Sequence, residues 1–262
     1  MDMIRLYEKE IPHSDLAIIQ VLGDSASDVY TRNKVQLGEE IGIKVHHYKV
    51  EENISLEGLR EVIDNVVEKH HAIILQLPLP KHLEPYEQEL LDRIHYKKDV
   101  DCLSTHSIGL LHSGKAIYTP CTAQGVLDIL DYYIEDLTGK NVLIVGRQNL
   151  LGYPLYRLLT DRDCTCSLAH SKTVKLQEWF ESGQFDIIVT AVGKPKFFKG
   201  IKAEFIIDVG VNRDSDGKLC GDVDIDTCDF EYASTLGKGL GGVGQLTVKN
   251  LIKNSIIASN IE

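Results

Sequence analysis

The sequence predicts an α/β protein of two domains: an N-terminal three-layer α/β unit and a doubly wound α/β unit, with a last helix returning to the first. Three observations carry this. Short apolar runs alternate with segments of helical spacing in both halves of the 262-residue chain. LAIIQVL and KNVLIVG are apolar almost throughout instead of at every second residue, as expected of strands in a parallel sheet covered on both faces. Strands separated by helices imply right-handed crossovers, and hence parallel neighbours.

In the first half, LAIIQVL (16–22) reads as a buried strand. A helix follows, with Ser27 as a plausible N-cap and Gly42 as a plausible stop. IKVHHYKV (43–50) is a second strand, and Ser55 opens the helical LEGLREVIDNVVEKH. HAIILQL (71–77) is a third strand, stopped by Pro78 and Pro80, which cannot continue a central ladder. Near Tyr118 a second unit begins. TPCTAQGVLDILDYYIEDL reads as a helix and KNVLIVG (140–146) as a buried strand. CTCSLAH, FDIIVTAV and AEFIIDVGV are further strands, completing the pattern of a Rossmann-type domain. LTVKNLIKNSIIASNIE is an amphipathic helix suited to packing back onto the first half. The expected bounds are 1–118 plus 245–262 for the first domain and 119–244 for the second.

Apolar content of 43% and charged content of 26% are those of a globular protein. A net charge of -11 argues against a nucleic-acid partner, since nothing broadly neutralises phosphates. Lys194, Lys196, Lys199 and Lys202 form a local basic excess, most simply a solvated loop. No apolar run approaches the ~20 residues needed to cross a bilayer, and MDMIRLYEKEIPHSD has no signal core. A cytoplasmic protein with no membrane partner is expected. The six cysteines show no CxxC pairing and read as reduced thiols. Cys164, Cys166 and His170 could supply three metal ligands, but the strand-like alternation of CTCSLAH favours packed thiols.

Tyr30 and Lys34, four residues apart on a helix, share one face. A phenol and an ammonium in one patch can position a substrate and exchange a proton with it. Gln76 ends a buried strand, where open α/β sheets present ligand-binding groups. Asp101, in KKDVDCLS, could accept hydrogen bonds from a heterocycle. In the second half Gly146 and Gly152 bracket the strand-to-helix turn GRQNLLGYP. Such a turn lets a cofactor phosphate approach backbone amides and a helix N-terminus, although glycines also serve an ordinary tight turn. Arg147 within it could pair with a ribose 2′-phosphate.

Eight segments occur in one order: SxxYxxxK (27–34), QLPLP (76–80), KDVD (98–101), PCTxxG (120–125), GRxxxxGxP (146–154), HSxT (170–173), GDVD (221–224) and GGVGxxT (241–247). Together they resemble the bifunctional methylenetetrahydrofolate dehydrogenase/cyclohydrolases along nearly the whole chain. The resemblance implies oxidation of 5,10-methylenetetrahydrofolate to the 5,10-methenyl form with NADP or NAD, then hydration to 10-formyltetrahydrofolate. It implies that Lys34 is the main catalytic residue, that Tyr30 stacks on the folate, that Gln76 hydrogen-bonds Lys34, and that Asp101 anchors the pterin. A cationic methenyl substrate beside Lys34 would favour proton release from its ammonium. Leu77, Pro78, Gly241 and Gly242 join Tyr30, Lys34, Gln76 and Asp101 as implied substrate contacts. Gly146, Arg147, Gln148, Gly152, Ser171 and Val211 are the implied cofactor contacts. A homodimer is implied, and no metal.

Several positions depart from the family pattern. Gln148 stands where Ser is usual beside the arginine, and NADP is still expected over NAD because Arg147 and Ser171 remain. Leu240 and Gln245 replace two prolines, which leaves the glycine-rich segment 236–247 with more backbone freedom to lose on binding. Cys102 replaces a glycine, and the stretch before LAIIQVL is short, which cuts back the usual N-terminal helix. Weaker folate affinity or an altered balance of the two activities is the expected result. Another dehydrogenase on this scaffold, of shikimate or glutamate type, would not require both QLPLP and DVD. A catalytically silent folate- or dinucleotide-binding protein would not require Tyr30, Lys34, Gln76 and Asp101. A monofunctional dehydrogenase would be expected to lack the lysine.

Overall fold

The structure, a computed structural model, describes residues 13–235 and 242–261. The chain divides into two compact units, Met1–Cys121 with Val248–Glu262, and Thr122–Thr247.

The first unit is built on three parallel strands, β1 (Asp15–Val21), β2 (Lys44–Val50) and β3 (Ile73–Leu75), in the order β2-β1-β3. Alternation along β1 feeds two cores. Ala17, Ile19 and Val21 face Leu59, Ile63 and Val66 of helix α2 (Leu56–Lys69). Leu16 and Ile18 face the other way. They meet Leu251, Ile252 and Ile256 near the chain's end, with half-buried Val35, Leu37 and Ile41 of helix α1 (Ser25–Ile41). The unit is therefore three layers deep.

Helix α1 begins earlier than its sequence indicates. Asp24 is the N-cap, its carboxylate accepting from Ser27 N at 2.7 Å. GDSAS offers two capping residues one turn apart, and the anionic one forms the cap; Ser27 sits in the first turn. Gly42 closes the helix at a left-handed φ of 97°. Ser55 caps α2 through Gly58 N, as its position in the sequence suggests. β3 is only three residues long, and residue 99 extends that edge through an isolated parallel bridge to Ile73. Two short helices, α3 (Glu87–Asp92) and α4 (Thr105–His112), follow in a stretch with little helical periodicity.

The second unit carries β4 (Asn141–Val145), β5 (Thr165–Ala169), β6 (Ile187–Thr190), β7 (Phe205–Asp208) and, after a small antiparallel hairpin of β8 (Asn212–Arg213) and β9 (Leu219–Cys220), the edge strand β10 (Tyr232–Ser234). The order β10-β7-β6-β4-β5 is all parallel, and the chain reverses direction of travel between β4 and β6. Helices α5 (Cys121–Tyr133) and α6 (Gly152–Thr160) cover one face. Phe180 of α7 (Leu176–Glu181), with Phe185 beyond it, covers the other. The last helix, α8 (Val243–Ser259), begins in the second unit and ends in the first. Among the described residues no helix is long and apolar enough to cross a membrane.

Candidate active site

The inward face of α1 departs from an ordinary amphipathic helix. Its buried positions are Ser27, Thr31, Lys34 and Gly38, with no large apolar side chain among them. Gly38 brings the helix close to the sheet, since a Cβ there would lie 2.5 Å from Val45 Cγ2. Lys34, only 7% exposed, is thereby held against the C-terminal end of β3, where its Nζ donates to Gln76 Oε1 at 2.9 Å. No carboxylate forms an ion pair with Lys34 among the described residues.

Gln76 is fixed in turn. Its backbone N donates to Ile19 O, and its side-chain Nε2 donates to Leu77 O at 2.6 Å. Turning the amide over would set Nε2 against the ammonium and Oε1 against a carbonyl, two repulsive contacts, so the neighbouring carbonyl determines which atom faces Lys34. Leu77 O also accepts from Ser27 Oγ at 3.2 Å, tying the first turn of α1 to the same strand end. Pro78 follows through a cis peptide. Tyr30 lies one turn before Lys34, half-buried, and burial raises its phenol above the usual value.

Asp101 reaches this neighbourhood from the other side of β3. Buried Asp99 accepts from Leu103 N (3.3 Å), Ser104 N (2.8 Å) and Ser107 Oγ (2.7 Å), which folds residues 99–104 into a tight turn carrying Asp101. Burial raises the Asp99 carboxyl, and those hydrogen bonds oppose the shift. Cys102 occupies this turn at φ 61°, a left-handed conformation that would suit glycine, the residue the resemblance leads one to expect here, and that is strained for cysteine by roughly 1–2 kcal/mol. Cys121 marks where the pieces converge. Its thiol is pushed up first by burial and then by Asp101 and Cys102, with Lys34 pulling the other way. Lys34 and Asp101 thus both act on the charge of one buried sulfur, which donates to Val100 O at 3.3 Å.

Sequence reasoning did not single out Asp99, Cys121 or Asn254. Asn254 Nδ2 reaches Val100 O, Thr119 O and Cys121 Sγ. For Asp99 a signal was present: an acid five residues before Ser104 and eight before Ser107 can staple a helix start.

In the second unit the singled-out residues gather at the C-terminal ends of the strands. Gly146 follows β4, and its N donates to Ala169 O at the end of β5; a Cβ on Gly146 would meet Ala191 O at 2.6 Å. Arg147 and Gln148 are exposed in this turn, Ser171 is exposed just after β5, and Val211 is exposed after β7. Gly152 opens α6, and Leu151, the residue before it, offers no side-chain cap; Tyr153 N donates to Gln148 O and Pro154 has no N–H, so among the described residues Gly152 N is the first-turn donor left for an anion. The loop after β6 is held by Asp222, which accepts from Val192 N (2.6 Å), Gly193 N (3.3 Å), Lys194 N (2.8 Å) and Asn212 Nδ2 (2.8 Å). Asp208 in turn accepts from Asp222 N and Val223 N. An uncapped helix start beside β4 at the switch point, with an exposed arginine, fits a dinucleotide phosphate.

Other singled-out positions have ordinary surroundings. Lys194 lies over the Phe197 ring, and Lys199 pairs with Asp224. Cys164 donates to Leu137 O, and burial pushes the Cys166 thiol up to about 12. Gly242 has φ 80°. Gly241, Leu240 and the stretch before residue 13 lie outside the described residues. Gln245 stands in the first turn of α8, where the helix restrains its φ, so the freedom expected from losing that proline is not found at this position.

Two family models match: the tetrahydrofolate dehydrogenase/cyclohydrolase catalytic domain over residues 2–101 and its NAD(P)-binding domain over residues 120–262. The chain belongs to the tetrahydrofolate dehydrogenase/cyclohydrolase family. A bifunctional FolD protein of Agathobacter rectalis is 38% identical to this family member over 93% of the chain and 87% of its own length. The crystal structure of FolD from Campylobacter jejuni superposes with a TM-score of 0.85 at 30% identity, covering 98% of this chain and 94% of that one. The Trypanosoma brucei enzyme, solved with NADP cofactor and an inhibitor, gives a TM-score of 0.83 at 27% identity, covering 98% and 95%.

Proposed function

We propose that this protein oxidises 5,10-methylenetetrahydrofolate to the 5,10-methenyl form with NADP and hydrolyses the product to 10-formyltetrahydrofolate. The observation that carries the second activity is the Lys34–Gln76 contact. A buried ammonium held by an amide, with no carboxylate neutralising it, is a proton carrier facing a site that receives cationic methenyltetrahydrofolate. Tyr30 supplies the aromatic surface for the folate ring. Asp101 supplies acceptors for the pterin N–H groups. Leu77 and Pro78 complete the substrate contacts of the first unit, with Leu77 also bracing Gln76.

Bound NADP supplies the hydride acceptor. The Gly152 amide at the start of α6 and the Gly146–Gly152 turn would hold its phosphates, Val211 would contact it after β7, and Arg147 with Ser171 would take the 2′-phosphate. Gln148 beside Arg147 is uncharged and leaves that guanidinium available to the phosphate. The strained Cys102 supports an altered folate affinity, since its side chain stands where a glycine would leave the backbone open. The same reading makes the protein a cytoplasmic homodimer associating through the NAD(P)-binding unit. The exposed tyrosines 132, 133 and 232 beside edge strand β10 support that face.

A paired absorbance assay on the wild type and a Lys34→Met variant tests the proposal. One channel follows reduced cofactor formed from methylenetetrahydrofolate, and the other follows methenyltetrahydrofolate decay. General acid–base catalysis typically contributes 10²–10⁴-fold, so the variant should lose roughly that factor in the second channel. Retention of cyclohydrolase in a folded Lys34→Met protein would remove Lys34 from its role, and a wild type inactive in both channels would overturn the function.

A further inference from the structure

We propose that Asp15, His46 and His70 form a binding site for one divalent first-row transition ion, of which Zn²⁺ is the type, at the edge of the first unit's sheet. The cluster is independent of the folate and cofactor residues. Its three potential ligand atoms all lie within 4.8 Å of one another. Each comes from a different element: Asp15 begins β1, His46 lies on the edge strand β2, and His70 is the C-cap of α2.

The sheet register brings them together. Ala17 pairs with His46, so Asp15, two residues back on the same pleat, lies diagonally across from His46. His46 and Tyr48 alternate onto the same face of β2 and both meet the His70 ring, with centroids 4.4 and 5.7 Å away. His70 Nδ1 contacts Asp15 Oδ2, and its Nε2 lies 2.7 Å from the Tyr48 hydroxyl. An Asp–His–Tyr chain alone would account for those two bonds, but not for a second imidazole brought to the same point.

The donor set suits a zinc-type ion. Two imidazole nitrogens and a carboxylate are borderline ligands that Zn²⁺ takes at about 2.0–2.2 Å. For the three donors to surround one centre at about 2.0–2.2 Å, the direct Asp15–His70 contact would open to admit the ion and His46 would close in. When His70 Nδ1 binds the ion, Nε2 carries the proton and donates it to Tyr48, which fixes tautomer and ring orientation as outer partners of metal-bound histidines do. His71, exposed, has Nδ1 3.6 Å from Asp15 Oδ1 and stands ready as a fourth donor. Lys44 is the opposing charge. A bound ion would clip the C-terminus of α2 to the edge strand.

The test uses the full chain, stripped with chelator and titrated with Co²⁺, whose visible ligand-field absorption reports a bound ion and distinguishes nitrogen–oxygen ligation from thiolate ligation. The wild type should take up one equivalent without a thiolate charge-transfer band, and Zn²⁺ should displace it. His46→Ala and Asp15→Asn should each weaken binding at least tenfold while leaving dehydrogenase turnover in chelator unchanged. Independently of any variant, Zn²⁺ should shift the imidazole nitrogen resonances of His46 and His70 in the wild type. Absence of uptake at stoichiometric Co²⁺, a thiolate band in its place, unchanged affinity in both variants, or unshifted imidazole signals would each overturn the site.

Discussion

Replacing Gly152 by alanine tests the cofactor turn most directly. An ideal Cβ on Gly152 would lie 2.1 Å from Gly146 O, 2.7 Å from Gly146 C and 2.9 Å from Arg147 Cα. Real Cβ contacts essentially never fall under 3.0 Å, so the closest pair must separate from 2.1 to at least 3.0 Å. All three obstacles are backbone of the same turn, and none can rotate aside. The turn must open, loosening the Gly146 N to Ala169 O bond that joins β4 to β5. Overpacking of this kind costs about 1–3 kcal/mol. The displaced atoms include the backbone proposed to hold the cofactor phosphate, and about 1.4 kcal/mol corresponds to tenfold in affinity. NADP affinity should therefore fall at least about tenfold, measured by titration of the purified variant, with a matching loss of stability in urea. Hydrolysis of methenyltetrahydrofolate consumes no dinucleotide, so its Michaelis constant should stay within about twofold. A folded Gly152→Ala protein with wild-type NADP affinity would refute this account of the turn. So would an equal loss of both activities.

Other expectations follow from the same geometry. Gly109, in α4, has no neighbour within 4 Å of an added Cβ, so Gly109→Ala should stabilise the protein by about 0.5–1 kcal/mol in urea melts and leave both activities unchanged. Asp99→Ala leaves two buried backbone donors and a hydroxyl without their acceptor, at about 1–3 kcal/mol each; a loss below about 2 kcal/mol would show that the Asp101 turn is held by something else. His46 and His47 both have values depressed below 6.5, first by burial, with Lys49 adding to the effect on His47 and Asp28 opposing it. The unfolded chain takes up these protons first as pH falls, so stability should be full above about pH 6.5 and decline below it. His47→Gln should flatten the slope of urea midpoints between about pH 7 and pH 5.5, and an unaltered slope would assign it to other groups.

Much of the architecture was legible because buried parallel strands are apolar throughout: 16–22 and 140–146 stand within a residue or two of the observed strands, and 43–50, a mixed polar edge strand, is placed by its position between two helices. The Tyr30/Lys34 spacing was legible too, because helix geometry alone sets that face. Less legible was everything depending on contacts distant in sequence. Asp24 displaced Ser27 as the cap because both lie in GDSAS and only the folded chain brings Leu77 O to the Ser27 hydroxyl. α4 carries a glycine and two histidines in eight residues and owes its start to Asp99 and Ser104 instead of its own periodicity. Cys121 looked like part of a helix start, and only the fold brings it within electrostatic reach of Lys34 and Asp101. The Asp15–His46–His70 cluster joins residues 31 and 55 positions from Asp15, a separation at which no local pattern speaks.

The uneven loading of α1 bears on how this chemistry can change over evolutionary time. Val35, Leu37 and Ile41 carry the apolar anchoring of the helix, whereas Ser27, Thr31 and Lys34 contribute little apolar burial. Fold and proposed reaction are thus assigned to different side chains of one helix. Substitution of the lysine by an uncharged side chain removes a buried ammonium without opening a hydrophobic cavity, so hydrolytic activity can be lost, and later regained, in a scaffold that stays folded throughout.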